Sequence, residues 1–299
     1  KDSSIALVEA ESPSQIRDEF EFSGLSVVCT NPQTDSYADY RCDFELWEVD
    51  SGFMMYIGCN VTYSKFFDDG TLRTFLTYGI DRQTLVDDNY GGLALPTTLP
   101  ISPMSPYYSK SLATNYDYDE MRFIDAASKF RVPTNDKGVP RTLQLLVNSD
   151  DSARLRCARN IAATLTELGL ACETVESPTS VYEARLQAAN YDIYLGITKL
   201  PTTADLSEFY RPWGEMSWGG LANETIYNMV NQSLADRGNY YNLHKLVADD
   251  GRIIPVMAGY YAIYAKRGVL SDLNPARDNV FYYTLGKTME SSKVATQFS

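Results

Sequence analysis

The fold class follows from residues 142–176, which read TLQLLVNSDDSARLRCARNIAATLTELGLACETVE. The segment opens with TLQLLVN, an apolar run without long alternation, as expected of a strand covered on both faces. An amphipathic helix follows and ends before Gly169, which takes the usual place of a C-terminal glycine. Its inward residues recur every three or four positions: Leu155, Ala158, Ala162, Leu165 and Leu168. With the strand ACETVE behind it, the segment predicts a strand–helix–strand unit.

The same alternation continues downstream. A capping box from Ser180 to Glu183 opens the helix SVYEARLQAAN, and YDIYLGI is a further strand. Strands separated by single helices form right-handed crossover units almost without exception. We therefore predict that TLQLLVN, ACETVE and YDIYLGI share one sheet, with the intervening helices packed against it. The fold class is α/β.

The N-terminal segment also mixes strands and a helix. SIALVEA and LSVVCT have strand character, and between them SPSQIRDEFEF predicts a helix with Ser12 as N-cap and Pro13 at its first position. Residues 42–60 have high β-propensity around Asp50-Ser51-Gly52, which predicts a hairpin. Because a hairpin needs further strands to be stable, we expect residues 1–60 to pack with the segment from 255 onward.

The remaining elements are mainly helices. Leu72, Phe75 and Leu76 share a helical face, and Asp81 has the position of an N-cap for the next helix. A proline-rich loop follows, and then a helix opened by a box from Asp117 to Glu120. That helix is expected to direct three residues inward: Met121, Ile124 and Ala127. Two helices near 224–234 and 239–249 precede the strands RIIPVMAG and YYAIYAK.

Composition excludes several functions. The net charge of −13 and the lack of any basic run argue against a nucleic-acid partner, which requires clustered lysine and arginine. No stretch of 18 apolar residues is present to span a bilayer. The single histidine, His244, leaves at most one possible Ser-His-Asp or Cys-His triad and favours a structural role. Adjacent acids such as Asp249-Asp250 lack metal-ligand spacing, so no metal or other cofactor is predicted.

The five cysteines are Cys29, Cys42, Cys59, Cys157 and Cys172. They form no C-x-x-C pair and no zinc spacing. The favoured interpretation is a set of buried thiols. A bridge between Cys157 and Cys172 is the alternative.

Several segments together resemble the family 5 extracellular solute-binding proteins, the oligopeptide, dipeptide and nickel type that serve ABC importers. LRTFLTYGIDRQTLVDDNYGGLALPTTLPI resembles the family's helix pair and Gly-Gly, proline-rich loop, and residues 142–176 resemble its strand–helix–strand unit. YDEMRFIDAASKF and ADDGRIIPVMAGYYAIYAKRGV follow in the family's order and spacing. The resemblance covers roughly residues 1 to 290. Because family members are longer, Lys1 is expected to be an internal start that lacks the beginning of lobe one.

The resemblance implies a two-lobed, periplasmic-binding-protein-like fold of type II whose lobes are joined by two crossing strands. Residues 1–60 plus 255–299 would belong to lobe one, and residues 61–254 would form the ligand-closing lobe. It implies an extracellular protein without enzymatic activity, periplasmic or membrane-anchored as a lipoprotein, although KDSSIALVEAES contains no signal segment. The expected partners are a peptide-like or other small-molecule ligand, captured by hinge closure, and an ABC transporter permease.

Candidate ligand contacts lie where strands end, because ligands of α/β sheets bind beyond the carboxyl ends of strands. Thr198 and Lys199 follow YDIYLGI. Asn148 and Ser149 end TLQLLVN, with helix capping as their alternative role. Trp213 and Trp218 could form an aromatic wall or pack in the core.

The chain departs from the family at two ligand anchors. The resemblance places an amine-binding aspartate near Leu200 and a carboxylate-binding arginine near Asn148. Asp205 could replace the aspartate only after a loop rearrangement. We therefore expect poor binding of free-ended dipeptides. Two other functions stay open: a ligand-sensing domain of a regulatory protein, and a carboxylate-dependent hydrolase, which would need two acids with separated pKa values.

Overall fold

The computed structural model describes residues 6, 8–9, 11–22, 24–33, 40–270, 273 and 275–277. The chain divides into two compact units. One comprises Lys1–Ser51 and Gly259–Ser299, and the other comprises Gly52–Ala258. The chain therefore passes from one unit to the other twice, at residues 51–52 and 258–259.

The first unit contains helix α1 (Pro13–Phe22), strand β1 (Val27–Thr30), the start of β2 (Phe44–Cys59) and the end of β7 (Ile253–Lys266). β1 pairs antiparallel with the end of β7. The Ser12 hydroxyl accepts the Gln15 N–H at 3.2 Å, which confirms the predicted N-cap. A small apolar core lies here, formed by Ile263, Ala265, Val269, Leu270 and Leu273.

The predicted hairpin at residues 50–52 and the predicted division of residues 252–266 into two strands are both wrong. β2 runs from Phe44 to Cys59 without a hairpin. Gly52 continues the strand with φ 79°, a conformation that glycine adopts at low cost, and its carbonyl accepts the Leu200 N–H at 2.8 Å. RIIPVMAG and YYAIYAK likewise form one strand, β7. The predicted strand SIALVEA lies largely outside the described residues.

The second unit holds the remaining elements. The helices and strands are α2 (Thr71–Phe75), α3 (Arg82–Tyr90), β3 (Leu95–Pro96), α4 (Lys110–Ala113), α5 (Glu120–Lys129), β4 (Leu143–Asn148), α6 (Ser152–Glu167), β5 (Cys172–Ser177), α7 (Thr179–Gln187), β6 (Ile193–Lys199), α8 (Ser207–Tyr210), α9 (Glu224–Ala235) and α10 (Tyr240–Asp250). Short 3₁₀ helices cover Lys65–Phe67, Leu76–Gly79, Thr114–Tyr116, Trp218–Gly220 and Arg237–Asn239. Its strands follow the order β7–β2–β6–β4–β5, and β3 pairs with β7.

The predicted sheet is confirmed. β4 lies between β5 and β6 and runs parallel to both, with Asn148 opposite Ser177 and Leu146 opposite Tyr194. β6 also pairs antiparallel with the second half of β2. This pairing places Phe53–Cys59 in the second unit, so the boundaries at 51–52 and 258–259 differ from those predicted at 60 and 255.

The sheet of this unit is covered on both faces. Successive strand residues point to opposite faces, and Leu145 and Val147 of β4 join one apolar cluster with α6. Leu146, between them, joins a second cluster with residues of α7, α9 and α10. This double coverage is the reason that TLQLLVN lacks alternation.

The predicted N-cap of α3 is confirmed, and that of α5 is wrong. Asp81 caps α3 as expected, accepting the Thr84 N–H at 3.1 Å. α5 is capped by Asp119 instead of Asp117. Its buried face carries Phe123, which packs in the core, while Met121 is 75% exposed. Ile124 is also exposed.

The predicted capping box of α7 is wrong as well. This helix begins after Pro178, so Ser180 is already inside it.

Candidate functional site

The parallel strands β5, β4 and β6 end at the same edge of the sheet, hereafter the carboxyl edge. In a parallel sheet this edge is where ligands bind, since the following loops diverge to opposite faces there. Asn148, Ser177 and Lys199 are the last strand residues. β2 approaches the same edge from the other direction, with Phe53 opposite Lys199.

The end of β4 is occupied by an internal hydrogen-bond network. The Asn148 amide donates to the Thr179 hydroxyl at 3.0 Å and its oxygen accepts the Asp150 N–H at 2.9 Å. Thr179 donates its N–H and its hydroxyl to Asp150 Oδ2, at 2.8 and 2.7 Å. These bonds lower the pKa of the Asp150 carboxyl. The Ser149 N–H bonds to the Ser177 carbonyl at 2.9 Å.

The alternative role predicted for Asn148 and Ser149, capping of α6, is wrong. Asp151 is the N-cap, and its carboxylate accepts the Arg154 N–H at 3.0 Å. Asn148 instead joins β4 to the start of α7, so it fixes the geometry of the carboxyl edge.

At the end of β6, Thr198 is half-buried and Lys199 is exposed. The Thr198 hydroxyl lies 3.3 Å from the Met216 sulfur. This contact ties the carboxyl edge to the segment after α8. Leu200, the next residue, is buried, so no charged group stands at that position.

The segment 211–217 is held on α8 by Glu208. The Glu208 carboxylate accepts two bonds from the Arg211 guanidinium, at 3.0 and 2.8 Å, and the Glu215 N–H at 2.9 Å. Its backbone carbonyl accepts the Met216 N–H at 3.1 Å. Arg211 in turn holds the pKa of the Glu208 carboxyl below its usual range.

The two tryptophans of this segment lie in different surroundings. Trp213 is 95% exposed and has φ 61°, an unusual backbone conformation for a bulky residue. Trp218 is half-buried against the apolar cluster of Tyr194 and Phe209. Core packing, the alternative role, therefore describes Trp218, while Trp213 offers its ring to solvent.

Asp205 lies at the start of α8. One of its oxygens accepts both the N–H and the hydroxyl of Ser207, at 2.8 and 2.6 Å. The carboxylate is thus engaged in the chain's own turn. Both bonds are accepted by Oδ1, and they orient the carboxylate within this turn.

Arg154 at the same edge was missed by the sequence analysis. It belongs to the first turn of α6, and its side chain is 7% exposed. The guanidinium carbon lies 5.3 Å from the ring centroid of Tyr182, which belongs to α7. Its position three and four residues before Cys157 and Ala158 marks it as inward-facing, and this spacing was available in the sequence.

The described residues contain no metal-site cluster, disulfide or membrane-spanning helix. Within the described ranges no three of the histidine, cysteine and acidic residues cluster as a metal site would require. All five cysteines are free thiols, so the alternative Cys157–Cys172 bridge is not formed. Burial raises the pKa of both of these thiols to about 12. Among the described helices, none has the length and hydropathy of a membrane span.

Comparison with known proteins identifies the family. The model described as "Bacterial extracellular solute-binding proteins, family 5 Middle" matches residues 13–220. The chain belongs to this family. The resemblance drawn from the sequence is therefore confirmed, while no curated protein matches the chain.

Solved structures share the fold of this family 5 chain. The substrate-binding protein CtaP of Listeria monocytogenes aligns with TM-score 0.68 and 14% identity, over 89% of this chain and 56% of its own. The oligopeptide-binding protein AppA of Bacillus subtilis, in complex with a nonapeptide, aligns with TM-score 0.62 and 16% identity, over 80% and 51%. NikA of Brucella suis, in complex with Fe(III)-EDTA, aligns with TM-score 0.65 and 15% identity, over 88% and 57%.

These likenesses confirm the predicted binding-protein fold. The family 5 chain spans little more than half the length of each structure. Of these, CtaP is an ABC transporter substrate-binding protein and AppA is an oligopeptide-binding protein.

Proposed function

We propose that this protein is the extracellular solute-binding component of an ABC importer and that it captures a peptide-like ligand. The support is the family match over residues 13–220 together with the fold shared with transport binding proteins. A permease would be its protein partner, and the location would be extracellular, periplasmic or membrane-anchored. The unit Gly52–Ala258 would act as the ligand-closing lobe, and the other unit would belong to lobe one.

The proposed ligand site rests on the group of polar and aromatic residues at the carboxyl edge. Thr198, Lys199, Asn148 and Ser149 end adjacent parallel strands, and Met216 links this edge to the segment that exposes Trp213. Hydroxyl, amide and aromatic groups are suited to polar ligands with apolar side chains. Trp218 would pack beneath this surface against the apolar cluster. Asp205 would contact a ligand amine only after its loop rearranges.

The ligand class follows from the residues, because the fold does not determine it. The structures aligned above hold ligands as different as a nonapeptide and Fe(III)-EDTA. Here Leu200 is buried where an amine-binding acid would be expected, and Asn148 is bonded to Thr179. We therefore propose a ligand longer than a dipeptide, or one whose amino end is blocked.

We also propose that the protein binds its ligand without transforming it. The aligned AppA is an oligopeptide-binding protein and CtaP is an ABC transporter substrate-binding protein, which supports this indirectly. The sole histidine is fully buried, so no imidazole is presented at the carboxyl edge for general base catalysis.

A defined peptide pool tests the proposal. The protein is incubated with synthetic peptides of two to nine residues, each with free or blocked ends, and retained peptides are identified by native mass spectrometry. We expect retention of longer or amino-blocked members and not of free dipeptides. Retention of no member would refute the peptide-like ligand.

Variants of two exposed aromatic residues locate the site. Trp213→Ala should weaken binding of a retained peptide by at least about tenfold, as expected when an aromatic contact of a central binding residue is lost. Tyr63→Ala is the matched control, because Tyr63 is 71% exposed and follows the end of β2 at the opposite edge of the sheet. Equal effects of both variants would contradict the location.

A further inference from the structure

Arg154 has an unusual combination of burial and missing partners. The residue is 6% exposed. Its Nε lies 3.5 Å from Asp151 Oδ2, an ion pair too long for a hydrogen bond, and is buried without a hydrogen-bond partner among the described residues. The side chain of an arginine carries five N–H donors, and buried arginines normally engage them.

The Arg154 guanidinium lies between the helices that cover the two faces of the sheet. Arg154 belongs to α6, which packs on one face of the sheet, while Tyr182 belongs to α7 on the opposite face. Because the guanidinium carbon lies 5.3 Å from the Tyr182 ring, the side chain passes over the end of the sheet at the carboxyl edge. It therefore lies where the proposed ligand would bind.

The local charges favour an anion from outside the chain. The 16-residue helix α6 begins at Ser152 and directs the positive end of its dipole to the same place. Asp151 caps α6 through Oδ1 and reaches the Arg154 guanidinium only through the 3.5 Å contact of Oδ2. Asp150, the preceding residue, accepts two bonds from Thr179. Nε is fully buried and has no hydrogen-bond partner in the part of the chain that the structure describes. The two Nη atoms are not fully buried, so a ligand would reach the guanidinium from their side.

We infer that Arg154 is an anchor for a negatively charged group, of the carboxylate class, on the ligand of this protein. The inference rests on the proposed function and makes it more specific. Since Leu200 provides no acid for an amine, the preferred ligand would be a peptide with a blocked amino end and a free carboxylate. Planar, bidentate pairing of guanidinium with carboxylate would supply the missing hydrogen bonds.

Acetate tests the anion site without knowledge of the ligand. The Nε–H resonance of Arg154 is followed by NMR during an acetate titration at constant ionic strength and is assigned from its loss in Arg154→Gln. We expect a saturable shift in the millimolar range in the wild type and in Arg159→Gln. Arg159 is the matched control because it is on the same helix, is exposed and already has the Glu176 carboxylate as a bidentate partner. A shift that is absent, or that grows linearly without saturation, would overturn the inference.

Matched peptides test the link to the ligand. For an amino-blocked member of the pool, replacing the free carboxylate by an amide should weaken binding about ten- to hundredfold, as for the loss of a charged hydrogen bond. Arg154→Gln should abolish this discrimination, and Arg159→Gln should keep it. If peptides are retained but acid and amide bind equally, the anchor is wrong and the proposed function stands. If acetate saturates but no peptide is retained, the anion site stands and the peptide-like ligand is wrong.

Discussion

His244 provides a sharp test of the energetics of the second unit. Its imidazole is fully buried on α10, beside the Tyr240 ring, and neither ring nitrogen has a hydrogen-bond partner among the described residues. Burial lowers the pKa of this imidazole from 6.5 to about 4, because the charged form would lose its hydration. His244 is therefore neutral in the folded protein at pH 7.

The sign of the pH dependence follows from proton binding. Between pH 6.5 and pH 4 the unfolded chain binds a proton at His244 and the folded protein does not. The free energy of unfolding therefore falls as the pH falls through this window and is unaffected by this group above it. With each pKa unit worth about 1.4 kcal/mol, lowering the pH from 7 to 5 removes about 2 kcal/mol.

His244→Leu isolates this contribution, since leucine is similar in size and needs no hydrogen bonds. We expect the variant to be at least as stable as the wild type at pH 7, because two unpaired nitrogens are removed from the core. Urea unfolding followed by tryptophan fluorescence at pH 7, 6 and 5 gives the comparison. The wild type should lose about 2 kcal/mol more than the variant between pH 7 and pH 5. Parallel losses in both proteins would refute the interpretation and show that the imidazole has a partner or is charged in the fold.

Three further predictions concern structure outside the ligand site. Arg82→Met should lower the free energy of unfolding by about 3 kcal/mol or more in urea titrations, because the buried guanidinium donates to four backbone and side-chain oxygens. An unchanged urea midpoint would contradict this. Gly251→Ala should fold poorly, since φ is 66° and a Cβ would lie 2.2 Å from a backbone oxygen. Gly138→Ala at φ 74°, with open space around it, should cost only about 1 kcal/mol by the same assay. Iodoacetamide should modify Cys29 in the native protein and reach Cys157 only after unfolding, as read by peptide mass spectrometry, because Cys29 is exposed and Cys157 is buried.

The α/β architecture could be predicted because its signals are local. The apolar run of β4, the spacing of α6 and Gly169 each have one structural interpretation, and crossover handedness then places β4, β5 and β6 in one sheet. β2 and β7 were each predicted as two strands, because the signals that decide where a long strand ends are not local. Gly52 in a run of strand residues predicts a turn as readily as a glycine with positive φ inside a strand, and only the pairing with β6 distinguishes them.

The candidate site could be located from the sequence, but its contacts could not be assigned. The ends of strands identify Asn148 and Thr198 as residues of the carboxyl edge. Whether a side chain there is free or bonded depends on residues distant in the chain, such as Thr179 for Asn148 and Met216 for Thr198. Arg154 lies on the inward face of α6 although it is charged, and apolar periodicity, which identifies that face, does not indicate a buried arginine.

The central claim is that a peptide-like ligand binds at the carboxyl edge. Amide hydrogen exchange, measured with and without a peptide retained from the pool, tests this most directly. We predict slower exchange in residues 148–154 and 197–200, which end β4 and β6 and begin α6. The loop 130–141, which precedes β4 at the opposite edge, should be unchanged. Protection confined to 130–141, with no change in the two strand ends, would contradict the account.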